Sequence, residues 1–155
     1  MLRLSKRSDY ALIAMKHLAL HTEATSAREI AERYDIPLEL MAKVLQRLTR
    51  RGLLASSQGT RGGYQLARRS ALISVADVIQ AVDGPVAVTV CSPDDPGQDQ
   101  CEQYAKCNVR DPLWRIKERI LASLETVSVA ELASDGDVVE PAPMIVHVLG
   151  ARARA

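Results

Sequence analysis

Residues 26–52 read SAREIAERYDIPLELMAKVLQRLTRRG and predict two helices joined by a tight turn. Ser26 followed by Glu29 forms a capping box, so the first helix begins after Ser26 and ends near Asp35. The residues predicted to point inward from it are Ile30, Ala31 and Tyr34. Pro37 then closes the turn, and a second helix follows it.

The second helix is longer and amphipathic, and Gly52 is predicted to end it. Its apolar residues recur at spacings of three and four: Leu40, Met41, Val44, Leu45 and Leu48. Two helices joined by a tight turn, the second amphipathic and basic, indicate a helix-turn-helix. The exposed side carries residue types that bond to bases and phosphates in a DNA major groove: Lys43, Gln46, Arg47 and Arg50. A plain solvated basic face is the alternative interpretation.

The next segment, LLASSQGTRGGYQLA (residues 53–67), predicts a hairpin with strands over residues 53–56 and 64–67. A hairpin directly after a helix-turn-helix indicates a DNA-binding wing. Its predicted DNA contacts are Arg61, as a minor-groove probe or phosphate contact, and the neighbouring Gly62 and Gly63. Because any hairpin turn needs glycines, their position after the helix-turn-helix is the stronger indication.

One helix is predicted on each side of this unit. Ser8 is expected to cap a first helix from about Tyr10 to His21, with an inner face of Leu12, Met15, Leu18 and Ala19. Ser74, with Asp77 three residues on, caps a fourth helix that ends at Gly84. That helix is predicted to bury Val75, Val78, Ile79 and Val82, and an extended segment is expected over residues 86–90.

Composition supports a mainly α fold. The 155 residues are 47% hydrophobic but only 3% aromatic, and they include no Phe, so the core is expected to be aliphatic. This length allows one folded domain with an appended element. No apolar stretch approaches the roughly 20 residues of a membrane span. The amino-terminal residues also have polar breaks where a signal peptide is continuously apolar, so we expect a cytoplasmic protein that does not bind membranes.

The charge is unevenly distributed along the chain. Residues 1–70 hold 13 Lys/Arg against 6 Asp/Glu, a net charge of +7, while residues 71–155 hold 7 against 13, a net charge of −6. The basic amino-terminal half is typical of a protein that binds a polyanion, although a solvated basic surface has the same composition.

The three cysteines of the chain all lie in CSPDDPGQDQCEQYAKC, as Cys91, Cys101 and Cys107. The residues between them are polar, so this loop cannot order itself by hydrophobic burial. In the cytoplasm the thiols are expected to be reduced, and three thiolates suit zinc or an iron-sulfur cluster. Three unrelated free thiols in a mobile loop are the alternative, and a four-ligand site needs one more residue from elsewhere.

After the loop, Asp111 followed by Pro112 predicts a helix start. The helix carries an apolar stripe, with Trp114 beside it: Leu113, Ile116, Ile120, Leu121 and Leu124. This stripe is expected to pack on a second subunit, with packing on the first helix as the alternative. Ser128 with Glu131 caps a short further turn. The predicted divisions are thus a DNA-binding domain (1–84), a cysteine loop (85–110), a dimerisation region (111–134) and an unassigned tail (135–155).

Residues 2–134 resemble the iron-sulfur-dependent winged-helix repressors that include the IscR and NsrR regulators, and more narrowly the regulators of SUF cluster-assembly operons. The resemblance rests on several motifs together: LSKRSDYALIAM, LQRLTRRGLL, GTRGGYQLA, SVADVIQAVDG, and the three cysteines followed by DPLW. It implies a homodimer formed through the long helix, an iron-sulfur cluster on the loop cysteines, and binding to a roughly palindromic double-stranded operator that changes with cluster occupancy.

The fourth ligand is where this sequence departs from the pattern. Some relatives use a His three residues after the last cysteine, a position held here by Arg110, which cannot bind iron. Others use an acidic residue on the first helix that reaches the cluster of the partner subunit, and Asp9 falls at that position. We therefore expect Asp9 as the fourth ligand. The alternatives are an exogenous ligand or one of His17, His21 and His147, and Asp9 also has the simpler interpretation of a charge that complements the helix dipole.

The function that follows is a DNA-binding transcriptional repressor that senses iron-sulfur or redox status and controls cluster-assembly genes. A cluster-free repressor that uses its cysteines as redox switches is the alternative. An enzyme, such as a small thiol oxidoreductase, is not expected, because the chain lacks a C-x-x-C pair and a nucleotide-binding motif.

Overall fold

The computed structural model describes residues 3–59, 62–89 and 102–134. Within these ranges the chain forms helices α1 (Lys6–Leu20), α2 (Ala27–Arg33), α3 (Leu38–Arg50), α4 (Val75–Asp83), α5 (Arg110–Thr126) and α6 (Val129–Ala133). Strands β1 (Leu54–Ser57) and β2 (Gly63–Leu66) pair in an antiparallel sheet. Short 3-10 turns lie at Ser70–Leu72 and Tyr104–Lys106. The predicted fold, mainly α with a helix-turn-helix and a two-stranded wing, is confirmed.

The core lies where α1 packs against α3, α4 and α6, and α2 packs against α3. Its largest fully buried apolar side chains come from six segments of the chain: Met15, Ile30, Met41, Leu45, Leu48, Ile73, Val78, Val82 and Val129. Burying each of these side chains contributes about 1.5–3 kcal/mol of transfer free energy. The core is aliphatic, as the absence of Phe predicts.

The start of α1 corrects one prediction. Ser5, not Ser8, is the N-cap, and its side chain accepts a hydrogen bond from the Ser8 backbone nitrogen at 3.1 Å. Ser8 lies inside the first turn, where its side chain is fully buried. The sequence offers two serines three residues apart, and tertiary packing decides between them, because the Ser8 hydroxyl is needed for a bond to Asp83.

Two residues of the helix-turn-helix also differ from prediction. Leu40 is 42% exposed and Tyr34 is 37% exposed, although both were expected to point inward. Leu40 precedes Met41 by one residue, which places it about 100° around the helix from the buried face. Tyr34 is the C-cap of α2 and lies past its last turn. The other expectations for α2 and α3 hold, including the Ser26–Glu29 capping box and a helix end at Gly52, whose φ is +70°.

The hairpin is confirmed, with strand ends shifted by one residue. Leu54 pairs with Leu66, and Ser57 pairs with Gly63. Strand β2 also pairs with Thr25 in the loop before α2, where the Thr25 nitrogen lies 3.1 Å from the Tyr64 oxygen. A Cβ on Gly63 would lie 2.7 Å from the Thr25 backbone, and one on Gly62 would lie 2.5 Å from the Ser57 oxygen. Close approach within the chain therefore requires both glycines.

The carboxyl-terminal elements return to the core. Helix α4 begins at its predicted capping box on Ser74 and ends at Gly84, with φ of +87°, while Ser128 caps α6. A bridge between Ser74 and Ser128 joins the starts of the two helices. Val129 is fully buried in the same core as α1.

Helix α5 corrects a second predicted boundary. Its N-cap is Val109, so Asp111 and Pro112 lie within the first turn instead of marking the cap. Proline is tolerated there because the first N–H groups of a helix have no partner within it. Residues 85–89 contain no strand where an extended segment was expected, and Val90 lies outside the described residues. Among the described residues, no helix is both long and apolar enough to cross a membrane.

We predict that Leu45→Ala lowers the free energy of unfolding by about 2–5 kcal/mol, because it leaves a cavity at a fully buried position of α3. Leu40→Ala removes the same atoms from an exposed position of the same helix and is expected to change it by less than about 0.5 kcal/mol. Urea unfolding followed by circular dichroism measures both. Equal losses would show that Leu40 belongs to the core.

Candidate DNA-binding surface and cysteine site

The buried face of α3 places its predicted DNA-binding residues on the outside. Met41, Val44, Leu45 and Leu48 are all buried, and the residues that occupy the opposite side are exposed: Lys43, Gln46, Arg47 and Arg50. The predicted exposure of these four side chains is correct. Their contact with DNA remains a prediction.

Arg47 differs from its neighbours on this face. One of its guanidinium nitrogens, Nη1, donates a hydrogen bond to the carbonyl oxygen of Val82 in the last turn of α4. Arg7, Arg50 and Arg51 line the same shallow recess, beside Asp83. The carboxyl-terminal end of α3 is therefore strongly basic. One of its arginines, Arg47, also holds α3 against α4 through the bond to Val82.

The first turn of α3 carries exposed side chains that the sequence pattern did not mark as candidates for DNA contact. Leu38 is 41% exposed, and Glu39 and Leu40 are exposed beside it. In helix-turn-helix proteins the amino-terminal residues of the second helix contact base edges. A carboxylate such as Glu39 accepts from the cytosine N4 amino group, and leucines contact the thymine methyl group. Their position in the sequence could have indicated this, because they directly follow Pro37 and so form the first turn of the second helix.

The wing is attached directly to α3. The Leu53 nitrogen donates to the Leu48 oxygen at 3.0 Å, and Leu53 and Leu54 are buried at the start of β1. Arg61, predicted to reach DNA from the wing tip, lies outside the described residues. Gly62 and Gly63 have the internal packing roles given above, and their contact with DNA stays a prediction.

Of the three cysteines, Cys107 is the one within the described residues, and Cys91 and Cys101 lie outside them. Cys107 is a half-buried free thiol at the end of the 3-10 turn before α5. Arg110 lies 4.9 Å above the Tyr104 ring, and its Nε donates to Asp111 Oδ1 at 3.1 Å. Asp111 also raises the pKa of Arg110. Arg110 thus connects the turn before Cys107 to the first turn of α5.

Asp9 is exposed in the first turn of α1. No group of three or more His, Cys, Asp or Glu side chains comes together within residues 3–59, 62–89 and 102–134 to hold a metal ion. Of the predicted ligands, these ranges contain Asp9 and Cys107. The predicted set therefore stays a prediction.

Two of the histidines proposed as alternative ligands, His17 and His21, contact each other at the end of α1. His17 is 4% exposed, and its Nδ1 lies 3.1 Å from the Tyr34 hydroxyl. His21 stacks on it at 4.1 Å between ring centroids and has its Nδ1 2.6 Å from the His17 carbonyl oxygen. Burial lowers the pKa of His17, the nearby His21 and Arg33 lower it further, and Glu29 opposes them. These contacts give His17 and His21 a packing role at the end of α1, and His147 lies outside the described residues.

A basic amphipathic helix on a helix-turn-helix, with a hairpin directly behind it, defines a winged-helix DNA-binding protein. Residues 4–135 match the Rrf2 family, described as iron-dependent transcriptional regulators, and the chain belongs to this family.

Individual relatives agree with this assignment. IscR of Yersinia enterocolitica, an HTH-type transcriptional regulator, is 35% identical over 144 residues, which cover 91% of this chain and 85% of that protein. The structure of CymR, described as the global cysteine regulator of B. subtilis, has a TM-score of 0.70 at 26% identity and covers 88% of this chain and 100% of its own. T. potens IscR has a TM-score of 0.67 at 26% identity, with coverage of 91% and 93%. The chain is therefore a transcriptional regulator and not an enzyme.

We predict that acid destabilises the protein through His17. Its pKa in the folded state lies below the ordinary 6.5, so the unfolded chain binds the proton more readily. The contribution of His17 to stability is complete above about pH 6.5 and is lost as the pH falls from there toward the lowered pKa.

The free energy of unfolding is therefore expected to fall between pH 7.5 and 5.5, as measured by urea titration. His17→Gln removes much of this fall. His21→Gln, the control, keeps most of it, because burial is the largest cause of the shift. An unchanged pH dependence in His17→Gln would assign it to other groups.

Proposed function

We propose that this chain is a dimeric repressor that binds a roughly palindromic double-stranded DNA operator in the cytoplasm, and that an iron-sulfur cluster controls this binding. The proposed cluster ligands are Cys91, Cys101, Cys107 and Asp9, and the proposed targets are genes for iron-sulfur cluster assembly. The observation that carries the proposal is the 35% identity to IscR across a chain whose three cysteines lie within 17 residues.

The donor set fits such a cluster by its chemistry. Three thiolates are the ligands that iron-sulfur clusters prefer, and a carboxylate is a harder, more exchangeable ligand beside them. Cys107 is half-buried next to α5, and Asp9 is exposed on α1. A bound cluster would supply redox sensitivity and lability to the site. Asp9, as the weakest ligand, would then link α1 of one subunit to the cysteine loop of the other.

DNA binding is proposed for the exposed face of α3 and for the wing. Lys43, Gln46 and Arg50 would contact bases and phosphates in the major groove, together with Glu39 from the first turn. Arg61 would reach the minor groove or a phosphate from the wing. Arg47 was predicted to join them, but its bond to Val82 favours a role in holding α3 against α4.

The dimer is proposed to form through α5. Ile116 is 45% exposed and Trp114 is 48% exposed, while Leu113, Ile120, Leu121 and Leu124 are half-buried. Helix α5 also packs on α4. The exposed part of its apolar stripe is a surface that a second copy would bury, and two copies would give the two-fold symmetry that a palindromic operator requires.

A cluster-free repressor that uses its thiols as a redox switch is the second candidate. It is supported by the likeness to CymR, described as a global cysteine regulator, whose structure covers 88% of this chain. The half-buried free thiol of Cys107 is compatible with both candidates. Anaerobic purification separates them, because a coloured protein supports the cluster and a colourless one that binds DNA supports the thiol switch.

We predict that Arg50→Ala and Arg61→Ala each weaken operator binding by about 1–3 kcal/mol and that binding falls steeply with salt. Arg115→Ala removes the same charge from an exposed position of α5 and serves as the control. Gel-shift titrations at several salt concentrations measure the effect. Equal weakening by the control would mean that net charge, and not this face, determines affinity.

We predict that Cys91→Ser, Cys101→Ser and Cys107→Ser each abolish stable cluster binding and leave far-UV circular dichroism unchanged. Asp9→Ala is expected to retain a cluster on three cysteines, with faster loss of visible absorption in air. Glu39→Ala removes a first-turn carboxylate from α3 instead and should match wild type. Retained colour in all three cysteine variants would contradict the assignment.

The same ligand assignment predicts a rescue. In Asp9→Ala combined with Arg110→His, an imidazole stands three residues after Cys107, where some relatives have their fourth ligand. Cluster lifetime is expected to recover toward wild type. A lifetime no longer than that of Asp9→Ala alone would show that an imidazole at position 110 does not replace Asp9, and an Asp9→Ala lifetime equal to that of wild type would argue against a fourth-ligand role for Asp9.

We predict that Leu121→Asp converts the dimer to a monomer, because it places a charge in the apolar surface of α5. Ala122→Asp adds the same charge at the next, exposed position and should remain dimeric. Light scattering measures the molar mass of each. A dimeric Leu121→Asp protein would place the interface elsewhere.

A further inference from the structure

Two consecutive residues in the last turn of α4 accept hydrogen bonds from side chains of two other helices. Asp83 binds the start of α1, and the carbonyl of Val82 binds the end of α3. We call this pair of residues the α4 joint. Helix α4 stops directly after it, because Gly84 has a φ of +87° that other residues rarely adopt.

On the α1 side, the Asp83 carboxylate accepts three donors from one helical turn. The Ser8 hydroxyl donates to Oδ2 at 2.6 Å, the Ser5 hydroxyl donates to the same oxygen, and Arg7 Nε lies 3.2 Å from Oδ1. Ser8 is fully buried, so its hydroxyl depends on this acceptor. The first turn of α1 is thus held on α4 by polar bonds as well as by packing.

The negative charge of Asp83 is stabilised only when the start of α1 lies beside it. A carboxylate at the carboxyl-terminal end of a helix is opposed by the dipole of that helix, whereas one near the amino-terminal end of a helix is favoured. Asp83 ends α4 and faces the start of α1, where Arg7 adds a positive charge. Its negative charge is therefore stabilised by α1 and not by its own helix.

On the α3 side, Arg47 satisfies one of the carbonyls that a helix end leaves without a partner. This bond joins the last turn of the DNA-binding helix to α4. Arg50 lies one turn of α3 further on, lines the same recess and is exposed. Two arginines of one helix thus differ in environment, since one is bonded to α4 and the other faces solvent.

We propose that the α4 joint transmits the position of the first turn of α1 to the recognition helix α3, and that Arg47 is a positioning residue for α3 and not a base-reading one. Val82 and Asp83 are consecutive, so movement of the Asp83 partners also moves the carbonyl that holds Arg47. Asp9, the proposed cluster ligand, directly follows Ser8. If the proposed function holds, a bond from Asp9 to the cluster would therefore act on the α4 joint. The mechanical coupling itself does not require a cluster.

Hydrogen exchange in the full-length protein without DNA tests the coupling. Asp83→Ala is expected to speed exchange of amides in the last turn of α3 by about threefold or more, although Asp83 bonds to α1. Asp77→Ala, the control, removes a carboxylate from the opposite end of the same helix, at its capping box. It should speed exchange at the start of α4 and leave the end of α3 unchanged.

Unchanged exchange at the end of α3 in Asp83→Ala, or an equal rise in Asp77→Ala, would overturn the coupling. If Asp83→Ala does not fold, Arg7→Gln replaces it, because that variant keeps the serine bonds and removes the ion pair. The same rise at the end of α3 is then expected.

Salt dependence of operator binding tests the role of Arg47. Arg47→Gln is expected to weaken specific binding about tenfold with an unchanged slope of log affinity against log salt, because no phosphate contact is lost. Arg50→Gln should lower the slope by about one. Arg47→Lys restores binding, since its ammonium can donate to the same carbonyl.

A slope lowered by about one in Arg47→Gln would overturn the positioning role and make Arg47 a phosphate contact. Wild-type protein that binds no operator would instead contradict the proposed function. In that case the exchange measurement alone decides whether the joint couples α1 to α3.

Discussion

The burial of one face of α3 is the constraint on which the rest of the structure depends. Met41, Leu45 and Leu48 are fully buried in a core shared with α1 and α4, and the opposite face of the same helix is basic and exposed. The orientation of the exposed side chains is therefore fixed by core packing. Because packed cores shift between discrete arrangements more readily than they deform smoothly, a change at α1 or α4 large enough to repack this core would move α3 as a whole.

The helices on either side of the cysteine segment are joined to one another. Helix α4 precedes it, and α5 is followed by α6, whose Val129 is fully buried beside α1. The Val75 nitrogen donates to the Val127 oxygen at 2.9 Å, and the Val129 nitrogen donates to the Ile73 oxygen at 2.8 Å. Both sides of the segment are thus joined in one folded unit. The segment therefore connects two helices, α4 and α5, that belong to the same folded unit.

The sequence predicted what local patterns determine. The capping boxes at Ser26 and Ser74, the glycine helix ends and the wing are correct, because each depends on residues close in the chain. One of the errors occurs where a distant contact decides. Ser5 and Ser8 are equivalent as caps until Asp83, 75 residues after Ser8, takes the Ser8 hydroxyl. Arg47 and Arg50 also resemble each other in the sequence, and the bond of Arg47 to Val82 depends on how α3 and α4 pack. The spacing of the cysteines predicts a site, but a fourth ligand from outside the cysteine loop would depend on tertiary or subunit geometry that local spacing does not determine.

The pairing of β2 with Thr25 limits how this protein can associate. Among the described residues, strand β2 has β1 on one side and the Thr25 backbone on the other, which leaves β1 as the open edge of the sheet. That edge is four residues long, and Ala55, Ser56 and Ser57 on it are exposed and small or polar. A short polar edge is a poor template for adding a strand from another molecule. Self-assembly by extension of this sheet is therefore disfavoured, and contacts between copies of the chain would more readily use the helices.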